Sequence, residues 1–507
     1  FWLFALLAGV INYGRLDDYL GPYLVADLES GRLTDEEAYR YIHSLWTMIE
    51  NRRTTVNGRI IVGGKGRKHP KEADVFLHIA MKVAKNCRYV EPQFTLRFDK
   101  DTSEEIWDEA LDALGAGATY PTLYNDDVNV PAVMYGMRVD EKAAEQYVPF
   151  GCTEFVIQGQ STGTPNICIN LLKLLTIYMN DGIDPIDGKR KSGPVPLKKL
   201  EEYQTFEEFY DGYKALLDYY LDLSVKAQYH SYEVMNQHVS FLFTSLLTDD
   251  CIARGKALLD GGVRYLGGTN ETYGNINTSD SLWIIRDLVF NQKKYTLRQL
   301  NDAMLANFNG YEALRKDCLN CDKYGNDLET ADTMANDLYE FVAKGVRNRG
   351  IAIGMQYFLI VISNNQLNTE WGNRTAASPD GRLSCMYMNP ANNPQGGANK
   401  SGPTAMLNSL AKFDAKYHGG SVQNIKFSPS MFNENRAVIK SLFKTYFAKG
   451  GCHLMVTVVD KGVLEDAVEH PENYPDLIVR VSGFSAVFVD LSPNIQQELL
   501  SRVLYDE

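Results

Sequence analysis

The chain has 507 residues, of which 45% are hydrophobic and 23% charged, and its formal net charge at pH 7 is -13. These proportions are typical of a globular protein with a large core. The acidic balance argues against a broad basic surface, so neither nucleic acid nor an anionic membrane is expected as a partner.

The first third of the chain alternates helical and strand patterns. Its opening run, Phe1 to Ile11, has eleven apolar residues and is too short to cross a bilayer, which takes about 20. It is typical of a core helix entered part-way, so we expect that an N-terminal part of the natural protein is missing. A helix is predicted over Thr34–Arg53 from its threonine cap and acidic first turn. Strands are predicted over Asn57–Gly64 and Pro92–Asp99, with a second helix within Glu72–Asn86 between them.

The remaining chain continues this alternation. Helices are predicted around Glu141–Tyr147, over the apolar run Ile167–Asp181, and over the long span Asp332–Asn365. Strands are predicted over Ser421–Phe427 and His453–Val459. Strands that alternate with helices favour an α/β barrel or a doubly wound sheet.

Several common catalytic motifs are absent from the sequence. It contains no GxxxxGK[ST], GxGxxG or HExxH, which argues against P-loop, dinucleotide-binding and zinc protease functions. Eight cysteines are too sparse for a disulfide scaffold, which favours a reducing cytoplasm. Cys318 and Cys321 form one CxxC pair with neither a second pair nor a histidine at zinc spacing, so we predict no metal site.

The segment Gly151–Glu154 reads GCTE and places a thiol two residues from a carboxylate. So close a negative charge raises the pKa of a thiol and opposes a thiolate nucleophile. The pair suits a cysteine that works as a neutral thiol and gives up a hydrogen atom, with Glu154 acting separately as a base or acid. The motif is short and common by chance.

A second unusual stretch is VRVSGFSAVFV, Val479 to Val489, which looks like a strand but carries Gly483 in its middle. Glycine weakens a strand interior, so one explanation is a bulge or a tight corner. The other is that the chemistry needs a backbone carbon without a Cβ. We interpret the stretch as an apolar sleeve around a tight loop with Gly483 at its tip.

Together, these segments resemble the glycyl radical enzymes, the pyruvate formate-lyase family. The matching residues are GCTE and RVSGFSAVFVDLSPNIQQELLSR, Arg480 to Arg502, with support from YNDD, SPDGR, PQGGANKSGPTA and INYGRLDDYLGPY. The resemblance implies a ten-stranded α/β barrel of two five-stranded half-sheets with surrounding helices. It also implies a truncated barrel domain over residues 1–375 and a C-terminal glycine radical domain over residues 376–507.

The resemblance implies three catalytic residues. Gly483 would store a radical, which a planar α-carbon without a Cβ stabilises. Cys152 would become a transient thiyl that takes a hydrogen atom from substrate, and Glu154 would be the general base. The apolar residues Val481, Phe484, Val487 and Phe488 would shield the radical. No bound cofactor is expected, because a separate radical-SAM activating enzyme would install the radical after translation.

The form of the cysteine motif favours one branch of the family. Formate-lyases carry two adjacent cysteines, whereas Phe150 and Gly151 precede Cys152 here. Gly-Cys-x-Glu resembles the branch of glycerol and diol dehydratases and choline trimethylamine-lyase. That branch breaks a C–O, C–N or C–S bond of a small polar substrate. A radical decarboxylase, a formate acetyltransferase-like C–C lyase and an inactive truncated relative remain alternatives.

Substrate contacts and surroundings follow less directly. Asn12 and Asn166 are the candidate substrate-binding residues, with the alternative that both satisfy loop backbone. The resemblance implies a homodimer in the cytoplasm, with a bacterial microcompartment as the alternative setting.

Overall fold

The computed structural model describes residues 12–52, 58–162, 166–362 and 366–506, so the predicted core helix in the first eleven residues lies outside the described part. Strands and helices alternate along these residues, which confirms the α/β class. The strands are β1 Asn12–Arg15, β2 Arg59–Gly63, β3 Phe94–Phe98, β4 Thr122–Asn125, β5 Tyr147–Phe150, β6 Glu154–Ile157, β7 Asn166–Asn170, β8 Gly267–Tyr273, β9 Tyr357–Ile362, β10 His418–Ser421, β11 Asn424–Phe427, β12 His453–Val458, β13 Ile478–Arg480, β14 Ser485–Val487 and β15 Leu504–Tyr505.

The α-helices fill most of the intervals between these strands. They are α1 Leu16–Glu29, α2 Asp35–Glu50, α3 Pro70–Asn86, α4 Glu104–Gly115, α5 Asp126–Met137, α6 Glu141–Ala144, α7 Leu171–Met179, α8 Phe206–His238, α9 Leu242–Leu246, α10 Cys251–Arg254, α11 Asn275–Ile284, α12 Leu297–Leu305, α13 Glu312–Asn320, α14 Glu329–Ala352, α15 Leu367–Glu370, α16 Gly402–Ala411, α17 Pro429–Glu434, α18 Arg436–Ala448, α19 Lys461–Glu469 and α20 Pro493–Ser501.

By their internal contacts the residues divide into two compact units. The first comprises Phe1–Gly163 with Gly420–Glu507, and the second comprises Thr164–Gly419. The first unit is therefore discontinuous in sequence. The division of the sequence after residue 375 into a barrel domain and a radical domain stays a prediction.

A seven-stranded sheet organises the first unit, in the order β1-β2-β3-β4-β12-β11-β15. Its strands run parallel except where β4 meets β12 in antiparallel register. The resemblance implied half-sheets of five strands, and the described strands of this sheet number seven. One of the strands beyond the expected five is the edge strand β15, which is only two residues long and pairs with β11.

Most predicted elements of the first unit are confirmed, and two differ in extent. The strand predicted over Ser421–Phe427 is divided between β10, which ends at Ser421, and β11, which begins at Asn424. The helix after Thr34 begins with a complete capping box between Thr34 and Glu37. Its Trp46 side chain packs edge-on against Phe94 of β3, with ring centroids 5.6 Å apart. The helix predicted over Glu141–Tyr147 is shorter, because it ends at Ala144 and the chain enters β5 at Tyr147.

A second sheet has four strands in the order β10-β9-β8-β7, of which β7, β8 and β9 lie in the second unit. The prediction of one helix over Ile167–Asp181 is wrong in its first part, because residues up to Asn170 pair with β8 as a strand. The Asn170 side chain then caps α7 by accepting a hydrogen bond from the Lys173 amide at 2.9 Å.

The long helix predicted over Asp332–Asn365 is also divided. It ends at Ala352, and Gly354 follows with a φ of +90°, a conformation that favours glycine after a helix. The β-branched and aromatic run of β9 then pairs with β8 instead of continuing the helix. An apolar run alone does not distinguish a buried strand from a buried helix, which explains both corrections.

Candidate active site

Cys152 occupies the tip of a β-hairpin in the first unit. Strands β5 and β6 pair antiparallel, and Phe150 faces Glu154 as the last pair before the turn. Gly151 opens the three-residue turn with a φ of +54°, a left-handed conformation that glycine adopts without strain. Cys152 is only 3% exposed, so the turn carries a buried thiol.

Gly483 lies in the turn of a second hairpin of the same unit. Strands β13 and β14 pair antiparallel up to Arg480 and Ser485. The Val481 amide donates a hydrogen bond to the Phe484 carbonyl at 3.0 Å and closes the turn. The structure thus confirms a tight loop where the sequence showed an interrupted strand.

The tips of the two hairpins touch. A Cβ added at Gly483 would lie 2.3 Å from the Cys152 Cβ, 2.4 Å from its Cα and 2.6 Å from its carbonyl oxygen. Gly483 is not among the glycines with positive φ, so its backbone conformation is open to other residues. The close approach of Cys152, and not a left-handed backbone, therefore requires glycine at this position.

Glu154 folds back over the turn that carries Cys152. Its Oε2 accepts a hydrogen bond from the Thr153 amide at 2.9 Å, and the residue is 4% exposed. A Cβ at Gly151 would lie 2.8 Å from the same oxygen. The missing Cβ at Gly151 thus makes room for the carboxylate beside the cysteine.

Arg59, at the start of β2, is hydrogen-bonded to the turn that carries Cys152. The sequence did not point to this residue. Its Nη2 donates to the Gly151 carbonyl at 2.8 Å and to the Gln93 side-chain oxygen. Its Nη1 donates to Thr95 Oγ1 at 2.8 Å. No sequence signal marks this residue, because its role depends on the register of β2 against β3.

Gly420 approaches the same turn from another side and was also missed. A Cβ there would lie 2.3 Å from the Thr153 carbonyl oxygen. Its φ of +133° lies in the region that favours glycine. The residues around the cysteine turn therefore pack so closely against it that neither Gly420 nor Gly483 has room for a Cβ.

Arg480 fixes the turn of the second hairpin. Its Nε donates to the Ser482 carbonyl at 3.0 Å, and its Nη1 donates to Ser485 Oγ at 3.2 Å. Its guanidinium lies 4.9 Å from the centroid of the Tyr120 ring, and complete burial lowers the pKa of Arg480. Arg480 is the first residue of the segment that resembles the glycine radical motif, but its contacts could not be predicted from the sequence.

Three of the four apolar residues expected to shield Gly483 are buried. Val481, Phe484 and Phe488 are buried in one hydrophobic cluster with residues of α19 and α20. Val487 is only half-buried.

The two candidate substrate contacts lie in different places. The Asn12 side-chain amide donates to the Pro149 carbonyl at 2.6 Å, and its oxygen accepts from the Gly14 amide at 2.8 Å. Both ends of Asn12 thus bind backbone, the alternative that the sequence left open. Asn166 lies at the start of β7, and its side chain is outside the described part. Both substrate roles stay predictions.

The CxxC pair lies in the second unit, where burial opposes ionisation of both thiols. Burial raises the pKa of Cys318 to about 12 and that of Cys321 to about 11. Within the described ranges, the side chains close enough to share a metal ion are His78, Glu105 and Glu109, on α3 and α4. His78 Nδ1 and Glu109 Oε2 lie 2.8 Å apart, and this contact raises the pKa of His78.

The chain belongs to the pyruvate formate lyase-like family. The family model described as pyruvate formate lyase-like matches residues 5–367, and the model described as glycine radical matches residues 388–489. In the described ranges, no helix is both long and apolar enough to cross a membrane.

Curated relatives and solved structures agree with this membership. The chain is 29% identical over 506 residues to trans-4-hydroxy-L-proline dehydratase of Clostridioides difficile, a match that covers 96% of this chain and 64% of that protein. It is 27% identical over 518 residues to (2S)-3-sulfopropanediol dehydratase of Klebsiella oxytoca, covering 97% of this chain and 62% of that one. The glycerol-bound B12-independent glycerol dehydratase of Clostridium butyricum superimposes with a TM-score of 0.89 at 28% identity, covering 98% and 64%. The chain thus spans about two thirds of the length of these relatives, slightly less in each case.

Proposed function

We propose that this chain carries the reaction centre of a glycyl radical lyase, most simply a dehydratase, that acts on a small polar substrate. The observation that carries the proposal is the contact between Gly483 and Cys152, residues 331 positions apart whose backbones approach closely enough to exclude a Cβ. An exchange of a hydrogen atom between an α-carbon and a thiol needs this proximity.

The three residues would divide the reaction between them. Gly483 stores the unpaired electron and takes the thiol hydrogen of Cys152, which leaves a thiyl. The thiyl takes a hydrogen atom from a substrate carbon. Glu154, two residues away on the same hairpin, removes a hydroxyl proton while the neighbouring bond to the leaving group breaks. Cys152 then returns its hydrogen atom to the product radical, and the thiyl formed in this way takes a hydrogen atom back from Gly483, which restores the glycyl radical. The proton held by Glu154 leaves with the departing group, as water when that group is hydroxide.

Two features support elimination over acyl transfer. Gly151, not a second cysteine, precedes Cys152, and the Glu154 carboxylate lies beside the turn. Named relatives include dehydratases and an isethionate sulfite-lyase of Bilophila wadsworthia, 26% identical to this chain. Cleavage of a C–O or C–S bond fits these names, and C–N cleavage remains within the proposal.

The proposal includes partners. A glycine radical domain implies a glycyl radical, and we infer that a radical-SAM activating enzyme removes one hydrogen atom from Gly483. A homodimer in the cytoplasm, with a microcompartment as the alternative setting, is part of the same proposal.

The test is anaerobic activation. The protein is incubated with a radical-SAM activase, a one-electron reductant and S-adenosylmethionine, and the electron paramagnetic resonance signal is recorded before and after air is admitted. We expect a doublet, followed by backbone cleavage at Gly483 in air. The absence of both signal and cleavage would refute the proposal and favour an inactive relative.

Two variants separate the roles of the hairpin residues. Cys152→Ala is expected to keep the radical and lose turnover, and Glu154→Gln is expected to keep the radical and lose elimination. Turnover that survives in Cys152→Ala would contradict the thiyl role.

A radical decarboxylase is the second candidate. A 4-hydroxyphenylacetate decarboxylase glycyl radical subunit of Clostridioides difficile is 25% identical to this chain. Release of carbon dioxide from an arylacetate by the activated protein, without dehydration of diols or hydroxyproline, would favour this candidate.

A further inference from the structure

We propose that Arg59 is a positioning residue that holds the Cys152 turn at hydrogen-transfer distance from Gly483. This inference rests on the proposed function, because it concerns the same pair of residues. Nothing in the sequence motifs or in the names of the relatives assigns a role to Arg59.

The geometry begins at the turn itself. The peptide carbonyl of Gly151 immediately precedes Cys152, and it accepts a hydrogen bond from Arg59 Nη2 at 2.8 Å. Gly151 has a left-handed φ, and glycine has the most backbone freedom of any residue. A turn with such a residue needs an outside contact to keep one conformation, and the guanidinium supplies it.

The guanidinium is itself fixed by the sheet. Arg59 lies on β2 and is 2% exposed, and its Nη1 donates to Thr95 Oγ1 of β3 at 2.8 Å. Thr95 Oγ1 in turn lies 2.9 Å from Thr122 Oγ1 of β4. Gln93 provides another oxygen for Nη2. A chain of hydrogen bonds thus joins three parallel strands to the cysteine turn.

Arg59 donates to neutral oxygens of Gly151, Gln93 and Thr95, and its Nη2 also reaches the Cys152 carbonyl at 3.5 Å. Hydrogen bonds from a charged donor are shorter and stronger than those between neutral groups. The planar fork of arginine reaches these separate acceptors at once, which a lysine ammonium on a flexible stem does not reproduce. Arginine therefore suits this position in both charge and shape.

Positioning matters because the rate of hydrogen-atom transfer between Gly483 and Cys152 falls steeply as the distance between them grows. A misplacement of about 1 Å costs on the order of 100-fold in rate. The turn also meets Gly483 without spare room, so a shift of the turn changes the reacting distance directly.

The experiment measures hydrogen exchange at Gly483, which requires no substrate. A glycyl radical has one α-hydrogen, which splits its resonance signal into a doublet. In D2O the Cys152 thiol carries deuterium. Reversible transfer between Cys152 and Gly483 replaces the α-hydrogen by deuterium, and the doublet collapses. The collapse rate therefore reports the transfer itself.

The variants are Arg59→Met and Arg59→Lys, activated anaerobically in D2O beside the wild type. We expect radical yields within about 2-fold of wild type, and collapse slowed on the order of 100-fold in Arg59→Met and about 10-fold or more in Arg59→Lys. Arg436→Met is the matched control, because it removes an arginine–carbonyl bond between α18 and α4 of the same unit, from Arg436 Nη2 to the Asp108 carbonyl at 3.2 Å. We expect it to slow the collapse by less than about 3-fold.

The outcomes are distinguishable. A wild type without a radical refutes the proposed function and this inference with it. If the wild type forms a radical and the doublet of Arg59→Met collapses at the wild-type rate, the inference is refuted and the proposed function is not. If Arg59→Met does not fold, Gln93→Met removes one acceptor of Nη2 and leaves the arginine, and unchanged exchange in both Gln93→Met and Arg59→Lys overturns the proposal.

Discussion

Gly483 meets the backbone of Cys152 at distances that leave no room for a Cβ, and its φ is not positive. The explanation by a bulge or tight corner describes the local geometry, a hairpin turn, but does not explain the choice of residue. Space alone would select glycine here. The proposed radical would select it a second time, because a Cβ opposes planarity at the α-carbon.

Gly483→Ala is predicted to lower the stability of the fold and to abolish the radical. The added methyl overlaps Cys152 in a packed turn, so we expect a loss of about 1–3 kcal/mol in the free energy of unfolding, together with no radical signal after activation. The control is Gly462→Ala, where the new Cβ meets only Asp460 Oδ1 at 3.2 Å. Chemical denaturation checks the first part, and Gly483→Ala as stable as wild type would contradict the steric argument.

Asp280 of α11 gives a prediction for the pH dependence of stability. Burial raises the pKa of Asp280 from 3.8 to about 7, although Lys323 opposes the shift. The folded chain thus holds this proton more tightly than the unfolded chain. The contribution of Asp280 to the free energy of unfolding therefore falls as the pH rises from about 4 to about 7, and it is constant above that range.

Asp280→Asn is expected to remove this dependence. Asparagine keeps an oxygen for the Tyr324 amide, which donates to Asp280 Oδ1 at 2.9 Å. The melting temperature of the variant relative to wild type should rise between pH 4 and pH 7 and then level off. A difference that does not change with pH would contradict the raised pKa of Asp280.

At the scale of elements, the site is made by two hairpins whose turns meet. The β5–β6 turn depends on Gly151 for a left-handed backbone and for room beside the Glu154 carboxylate. The hairpin continues to a second turn after β6, where Gly159 has a similar φ of +71° and no heavy atom within 4 Å of an added Cβ. The two glycines differ in their surroundings and not in their backbone.

We predict that Gly151→Ala destabilises the chain more than Gly159→Ala. Both variants incur the strain of a positive φ, about 1 kcal/mol, but only Gly151→Ala also displaces a buried carboxylate. The expected difference is on the order of 1–2 kcal/mol in denaturant midpoint measurements. Equal losses in the two variants would show that the carboxylate contact is not a constraint.

Elements with strong local signals were predicted, and those that depend on partners were not. Thr34 and the acids after it predicted the start of α2, because a capping box is a local structure. The apolar stretches at Ile167–Asn170 and Tyr357–Ile362 became strands because β8 lies between them and binds both. That partner is about 100 residues distant from either, beyond any window of local pattern.

At the scale of the whole molecule, the first unit depends on both ends of the chain. Its sheet joins β4 to β12, where Tyr124 faces His453, although these strands are 329 positions apart. The second unit is continuous from Thr164 to Gly419.

This arrangement predicts different behaviour of fragments. A fragment of residues 1–163 lacks three of the seven strands of its sheet and should not unfold cooperatively, whereas residues 164–419 should. Adding residues 420–507 to the first fragment should restore a cooperative transition. Circular dichroism melts check these expectations, and cooperative unfolding of residues 1–163 alone would contradict them.

The sequence by itself determined the α/β class, the family and the identity of the candidate residues Cys152, Glu154 and Gly483, because these depend on local composition and short motifs. Tertiary structure alone decided that Gly483 lies against Cys152 and that Arg59 binds the turn that carries Cys152. The reason is physical: contacts between residues about 100 to 330 positions apart depend on strand register and hairpin approach, which no local pattern encodes.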